Sequence, residues 1–322
     1  MGQSLSIQQI HRQIQQVART TFTVIVEGET GTGKALVARL LHEQSDRAAK
    51  AFVAIDCGAI PESLVESELF GYVKGAFTGA EGRKAGYFEL AKGGTLFLDE
   101  IAHLTPTIQR TILRSLQERC ILPLGSAQSV PIDVRLIVAS NAILEAEVCA
   151  GRFRADLFHR LNEFKIALLP LRERRADILW LADRFRRETN AELAKHIETF
   201  SAEAQAYLLV HDWPGNVREL RNMVRRAVLL SNDGVIALAQ LRQRGVPQAA
   251  PGWTPPPLAG SEAWGAPGRG FHAIIHEAVV ELEKALIQHA LQHTRQNKTQ
   301  AAKMLHIGYK TLYRKLKEYN LL

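Results

Sequence analysis

Lys34, Asp99 and Glu100 are the side chains whose types and spacing point most directly to chemistry. Lys34 closes the run Gly28-Glu29-Thr30-Gly31-Thr32-Gly33-Lys34, which fits GxxxxGK. Its glycines let backbone N–H groups converge on a phosphate, and the lysine ammonium neutralises the terminal oxygens. Asp99 and Glu100 end the apolar run Thr95-Leu96-Phe97-Leu98. An acid at a strand end can reach Mg²⁺ through water, and a second acid can polarise an attacking water. Such a pair alone is more often a solvated turn, but a phosphate loop upstream reverses that expectation. The expected ligands are therefore ATP and Mg²⁺. Residue 35 is Ala35, so the hydroxyl that commonly helps hold the metal is missing, and water and distant carboxylates must serve.

Between the two halves of this site lies Gly75-Ala76-Phe77-Thr78-Gly79-Ala80, 41 residues after Lys34 and ending 19 before Asp99. Its glycines cost too much order for a core segment, and Phe77 has no periodic apolar partners. It reads as a loop holding Phe77 and Thr78 away from the body, a tip that hydrolysis could drive.

These residues need elements to position them. Leu5, Ile7, Ile10, Ile14 and Val17 recur at helical spacing over 5–18. Apolar strands are expected at 21–26, 52–57, 95–100, 134–139 and 164–169, with helical segments between them. That alternation predicts an α/β fold, a parallel P-loop sheet covered on both faces. The switch-point rule then gathers Lys34, Asp99 and Asn141 along its carboxyl edge. A helix is expected to start at Pro61, run into the glycine loop through Gly71 and resume near Arg83. Cys120 to Val134, with Pro123, Gly125 and Pro131, reads as a hairpin insertion. Arg154 and Arg160 flank Asp156. As surface charges they would pair with it, and as arginine fingers they would reach a neighbouring subunit's γ-phosphate; the pattern leaves these even.

The pattern turns helical from Pro170 to about Arg244, with Trp213-Pro214-Gly215-Asn216 as a tight turn before the helix carrying Arg218. Residues 245–270 are rich in proline and glycine and read as a linker. Beyond it, Ile275, Val279, Leu282, Leu286 and Ala290 mark a long helix. A short helix follows from Asn297-Lys298-Thr299 to Leu305, then a turn at His306-Ile307-Gly308, then a helix from Tyr309 to Tyr319 with Leu312, Leu316 and Tyr319 inward. That is a helix-turn-helix. Arg295, Lys298, Lys303, Lys310, Arg314, Lys315 and Lys317 face only Glu318 in this segment, which fits double-stranded DNA. Base contacts are expected from Tyr309, Lys310, Thr311 and Arg314, with Lys298, Thr299 and Lys317 beside them. The expected organisation is 1–170 α/β, 171–244 helical lid, 245–270 linker and 271–322 DNA-binding.

The 322 residues, 46% hydrophobic and 23% charged, allow about two domains of ~150 residues and a large core. The net charge of +7 favours a polyanionic partner. No apolar run reaches the roughly 18 residues a membrane span needs, and no secretory signal follows Met1. Cys57, Cys120 and Cys149 form no CxxC pair and suit a reducing, cytoplasmic setting. His272/His276 and His289/His293 have metal-like spacing but no third ligand, so solvated helix faces are the better reading.

In order along the chain, GETGTGKA, ELFGYVKGAFTGA, GGTLFLDE, FRADLFHRL, LRER and WPGNVREL resemble the AAA+ domain of bacterial enhancer-binding proteins. These activate RNA polymerase carrying sigma-54. NKTQAAKMLHIGYKTLYRKLKEYNL resembles their Fis-type DNA-binding domain. GAFTGA is the most specific of these motifs, since other AAA+ ATPases lack it, and only the linker falls outside the likeness. The resemblance implies a ring, commonly hexameric, with ATP between subunits. It implies Lys34 on phosphates, Asp99 on metal, Glu100 on water, Ser140 and Asn141 as sensor I, Arg154 and Arg160 as arginine fingers, and Arg218 as sensor II. The tip, Phe77 and Thr78 above all, would touch sigma-54, and the 120–134 hairpin matches a second surface loop.

Four positions depart from the family pattern. Ala35 replaces a glutamate, Asp56 an asparagine that bonds the catalytic glutamate, and Tyr72 and Val73 a histidine and a glutamate. A second carboxylate near Glu100 would repel it or share a proton. No receiver or ligand-sensing segment precedes residue 1 in the sequence, so regulation is expected in trans or from a segment removed. An ATP-driven activator is the leading expectation. A DNA-binding regulator with a degenerate ATPase is the alternative, and a DNA remodeller, which gives no account of the loop, ranks below both.

Overall fold

The structure is a computed structural model that describes residues 2–242, 284, 287–288, 290–291, 294, 297–304 and 308–319. The expected linker 245–270, the helix face from Ile275 to Leu286, Arg295, the turn residues His306 and Ile307, and all four paired histidines lie outside them. The chain divides into two compact units, Met1–Gln243 and Arg244–Leu322.

In the first unit, five short strands form one parallel sheet: β1 Val24–Glu27, β2 Phe52–Asp56, β3 Thr95–Asp99, β4 Arg135–Ser140 and β5 Phe164–Ala167. Their order is β2-β3-β4-β1-β5. The strands fall within about three residues of the sequence expectation. Thr21 to Thr23 stay outside β1, and Phe22 is exposed. Both faces are buried, as continuous apolar strands require. One face packs Leu69, Phe70, Phe88, Ile112 and Leu157 against Leu96 and Leu98. The other packs Ile10, Ile14, Val37 and Leu41 against Val24, Val26 and Phe97. Register aligns Asp56 with Asp99 and Glu27 with Ser140, so the polar strand ends share one edge.

The helices Ala176–Leu193, Ala202–Val210 and Asn216–Leu230 build a second core around Trp213, which is fully buried and donates its indole N–H to Leu208 O at 2.9 Å. Trp213 therefore anchors the lid as well as turning the chain. The N-terminal helix Leu5–Ala18 is capped by Ser4, and buried Asp177 of the lid accepts from Gln3 N, Ser4 N and Ser4 Oγ at 2.6–2.7 Å.

One expectation fails. The helix Glu62–Phe70 ends at Gly71, whose φ of +75° breaks helical geometry, and no helix resumes at Arg83. Instead Gly71–Tyr72 pairs antiparallel with Lys84–Ala85, and only Tyr87–Leu90 is helical beyond. Gly71 and Gly86 approach so closely that a Cβ on Gly86 would lie 2.3 Å from Gly71 N. The tip thus stands on a two-stranded ribbon.

In the second unit, the helices Lys298–Met304 and Tyr309–Glu318 bury Ala301, Ala302, Leu312 and Leu316 with Ile287, Ala290 and Leu291, and Tyr319 packs against them.

Candidate nucleotide site, coupling tip and DNA face

β1 delivers the chain into the phosphate loop, and the helix Lys34–Glu43 leaves it. Gly33, at φ +110°, is the N-cap, so the helix presents its positive end to the loop. Lys34 is buried, and its Nζ donates to Gly28 O at 3.0 Å. Burial lowers the pKa of this ammonium, while Asp99 and Glu100 oppose that shift. An ammonium stripped of water and held by neutral carbonyls gains most when an anion arrives.

Asp99 lies at the end of β3. Its Oδ1 accepts from Glu100 N at 3.0 Å, and burial raises its pKa against the pull of Lys34. Glu100 takes a left-handed conformation, φ 55° and ψ 43°, which is uncommon for a non-glycine residue. Its Oε2 lies 3.0 Å from His103 Nδ1. Asp56, at the end of β2, accepts from Gly58 N at 3.0 Å through Oδ1. The buried Cys57 thiol between them is pushed up to about 12, mainly by burial, so it stays protonated and unreactive.

A cavity of about 560 Å³ joins these groups to the lid. Thr30 to Lys34, Asp56, Asp99 and Glu100 line its polar side, while Ile7, Leu36, Leu168, Leu181, Phe185 and Val217 supply an apolar wall. Arg218 lines it as expected, and so do Arg174, Arg184, Arg221 and Arg225, which the sequence reading missed. Arg174 is buried, donates to Thr32 O at 2.9 Å and carries a buried Nε without a partner. Its signal was the LRER run, whose second arginine sits beside the phosphate loop.

The lid also grips that loop from outside the cavity. Arg172 donates two hydrogen bonds to Glu29, at 2.9 and 2.5 Å, and Asn216 Nδ2 donates to Glu29 Oε2 at 3.0 Å and to Thr30 O at 3.1 Å. Those donors, Arg172 first, lower the Glu29 pKa to about 2. Val217 N donates to Gly31 O, and a Cβ on Gly31 would lie 2.3 Å from Gly215 O. Only glycine allows this approach.

Other expected residues stand elsewhere. Asn141, just past β4, is exposed and does not line the cavity, and Ser140 folds back onto the Ala142 backbone. Ala35 is exposed on the helix. Arg154 is held by Asp156 at 3.0 and 2.6 Å, and Arg160 lies 3.4 Å from Glu163. Neither reaches the cavity of its own chain.

At the tip, Gly75 N donates to Ala80 O at 2.9 Å and Ala80 N to Phe77 O at 3.0 Å. Gly75 and Gly79 take positive φ, Phe77 is 45% exposed, Thr78 is exposed and Ala80 is buried. Tyr72 meets Phe77 edge-on with centroids 4.9 Å apart. The expected hairpin forms between Cys120–Ile121 and Val130–Pro131, and its loop bonds the ribbon through Val73 N to Leu124 O and Leu124 N to Gly71 O. The helix Glu62–Phe70 links this ribbon to the loop after β2, beside Glu100.

On the second unit, Tyr309, Arg314 and Lys317 are exposed, and Thr311 is partly so. The rings of Tyr309 and Tyr313 stack at 6.4 Å, with Lys298 Nζ 5.9 Å from the Tyr313 centroid. The side chains of Thr299, Lys303 and Lys310 lie outside the described set.

Comparison with known proteins gives three family matches in sequence order. Residues 1–167 match the sigma-54 interaction domain, 172–252 the AAA+ ATPase lid domain, and 278–319 the bacterial regulatory protein, Fis family. The chain is 44% identical over 316 residues to the transcriptional regulatory protein ZraR of Escherichia coli K12, covering 98% of this chain and 68% of that protein. It is 40% identical over 318 residues to the response regulator PilR of Pseudomonas aeruginosa, covering 99% and 69%. NtrX from Brucella abortus, solved in complex with ATP, superposes with a TM-score of 0.71 at 30% identity, covering 99% of this chain and 68% of that one. The same protein in complex with ADP gives 0.71 at 31%.

Proposed function

The chain belongs to the sigma-54-dependent transcriptional regulators with an AAA+ domain, its lid and a Fis-type helix-turn-helix, and from that premise we propose that it hydrolyses ATP to remodel sigma-54 RNA polymerase and open promoter complexes. One observation carries this reading. The tip that bears Phe77 and Thr78 stands on a ribbon tied by a single nine-residue helix, Glu62–Phe70, to the loop beside Glu100. A shift at the γ-phosphate can therefore reach the tip through one rigid element.

In this reading the phosphate loop and Lys34 bind the triphosphate, Arg218 senses it from the lid, and Glu100 aligns water. Asp99 is the residue that would hold Mg²⁺, which would supply positive charge against the phosphate oxygens. Asp99 suits it, being a half-buried carboxylate whose raised pKa an added cation would bring down, and Mg²⁺ keeps several waters of its own. Arg154 and Arg160, which do not reach the cavity of their own chain, fit a ring, a hexamer by family pattern, in which a neighbour's nucleotide meets them, while Asn141 would serve as sensor I at its own chain's sheet edge. Tyr309, Thr311, Arg314 and Lys317, with Lys298, Thr299 and Lys310, would hold duplex DNA upstream of the promoter, in the bacterial cytoplasm. Among the described residues no helix is long and apolar enough to cross a membrane.

Assembly-dependent hydrolysis tests this directly. ATPase activity per chain should rise with protein concentration as rings form, and Arg154→Ala should flatten the rise. A flat, negligible rate at every concentration would favour the second reading, a DNA-binding regulator with a degenerate ATPase. Ala35 and Asp56 are the observations on its side.

A further inference from the structure

Glu100 lines two cavities at once. On one side is the cavity of about 560 Å³ with the phosphate loop and Lys34. On the other is a cavity of about 360 Å³ lined by Cys57, Gly58, Ile60, His103 and Ile108 among others. His103 belongs only to the second. Its Nδ1 lies 3.0 Å from Glu100 Oε2, so the carboxylate oxygen is engaged on the side away from the phosphate loop.

The surroundings favour that position. Gly58 leaves room for it, since a Cβ there would lie 2.6 Å from Glu100 Oε2 and 3.3 Å from His103 Nδ1. Asp56 Oδ1 is engaged instead by Gly58 N, from which it accepts at 3.0 Å. His103 sits in the one-turn helix Ile101–His103 that begins directly after Glu100, so the pair is fixed within one turn of chain. The Glu100 backbone, at φ 55° and ψ 43°, is in a region that non-glycine residues rarely take.

We propose that His103 is a positioning residue that holds the Glu100 carboxylate in a resting place beside Gly58, away from the attacking water, so that release from His103 gates hydrolysis. This rests on Glu100 being the group that aligns water.

Steady-state ATPase of the full chain at ring-forming concentration separates the two ideas, with kcat and KM for ATP measured on four variants. His103→Ala and His103→Leu remove the N–H, one without and one with the bulk, and both should raise kcat about threefold or more with KM unchanged. His103→Asn, which keeps a donor near the Nδ1 position, should stay near the unsubstituted rate. Glu100→Gln should abolish turnover while a fluorescent ATP analogue still binds. If Glu100→Gln is dead but loss of the His103 N–H leaves kcat unchanged or lower, or moves KM with it, the resting contact is refuted and the role of Glu100 stands. If Glu100→Gln still turns over, the role of Glu100 falls and the proposal with it.

Discussion

Glu29 occupies an x position of the phosphate-loop pattern, yet it is one of the residues through which the lid holds that loop. Its carboxyl is lowered to about 2 by donors from Arg172 and Asn216. A carboxyl with a depressed native pKa contributes stability that is whole above its unfolded value, near 4.5, and drains as pH falls toward about 2. Both partners are more than a third exposed, so the pair is worth about 1 kcal/mol or less. Arg172→Ala should therefore lower urea stability by that order at pH 7, and the gap to the unsubstituted chain should close on acidification through this window. A gap independent of pH would contradict the assignment. Lys34, Asp99 and Glu100 were legible from sequence because each lies in a local pattern that the nucleotide chemistry requires. Arg172 and Asn216 were not, because they meet Glu29 across 143 and 187 positions, and only folding brings them together. Asp177 and Ser4 escaped for the same reason.

At the scale of elements, the strands and the lid helices followed from apolar period, and the five-stranded parallel sheet appeared as expected. The ribbon under the tip did not, because two-residue strands carry no period to read. What fixes it is close backbone approach at Gly71 and Gly86, which sequence shows only as two glycines. The neighbouring hairpin makes a second such approach. Gly125 has φ +75°, and a Cβ there would lie 2.8 Å from Ala76 Cβ and 2.9 Å from Ala76 Cα. Gly125→Ala should cost about 1–3 kcal/mol of local strain. The two loops should separate, seen as faster amide exchange at Val73 and Leu124, while nucleotide binding persists. Unchanged exchange would show that the hairpin does not brace the tip.

At the scale of the whole molecule, nucleotide site, tip and DNA face each make sense only with the others. The lid and strand edges form the cavity, and the helix Glu62–Phe70 joins the loop beside Glu100 to the ribbon. The second unit shows two exposed tyrosines, with Arg314 and Lys317 exposed on the same helix. The basic charge of its sequence segment fits a phosphate backbone, so binding to duplex DNA should weaken steeply with salt. Ala35, Asp56, Tyr72 and Val73 leave both the tip and the phosphate loop in place. The most direct measurement is open-complex formation by sigma-54 RNA polymerase on a supercoiled template, with this chain and ATP. The account predicts open complexes that need hydrolysable ATP and are lost with Lys34→Ala. Thr78→Ala should fall by about tenfold or more while keeping its ATPase and DNA binding. Open complexes formed equally well by Thr78→Ala, or without hydrolysis, would contradict it.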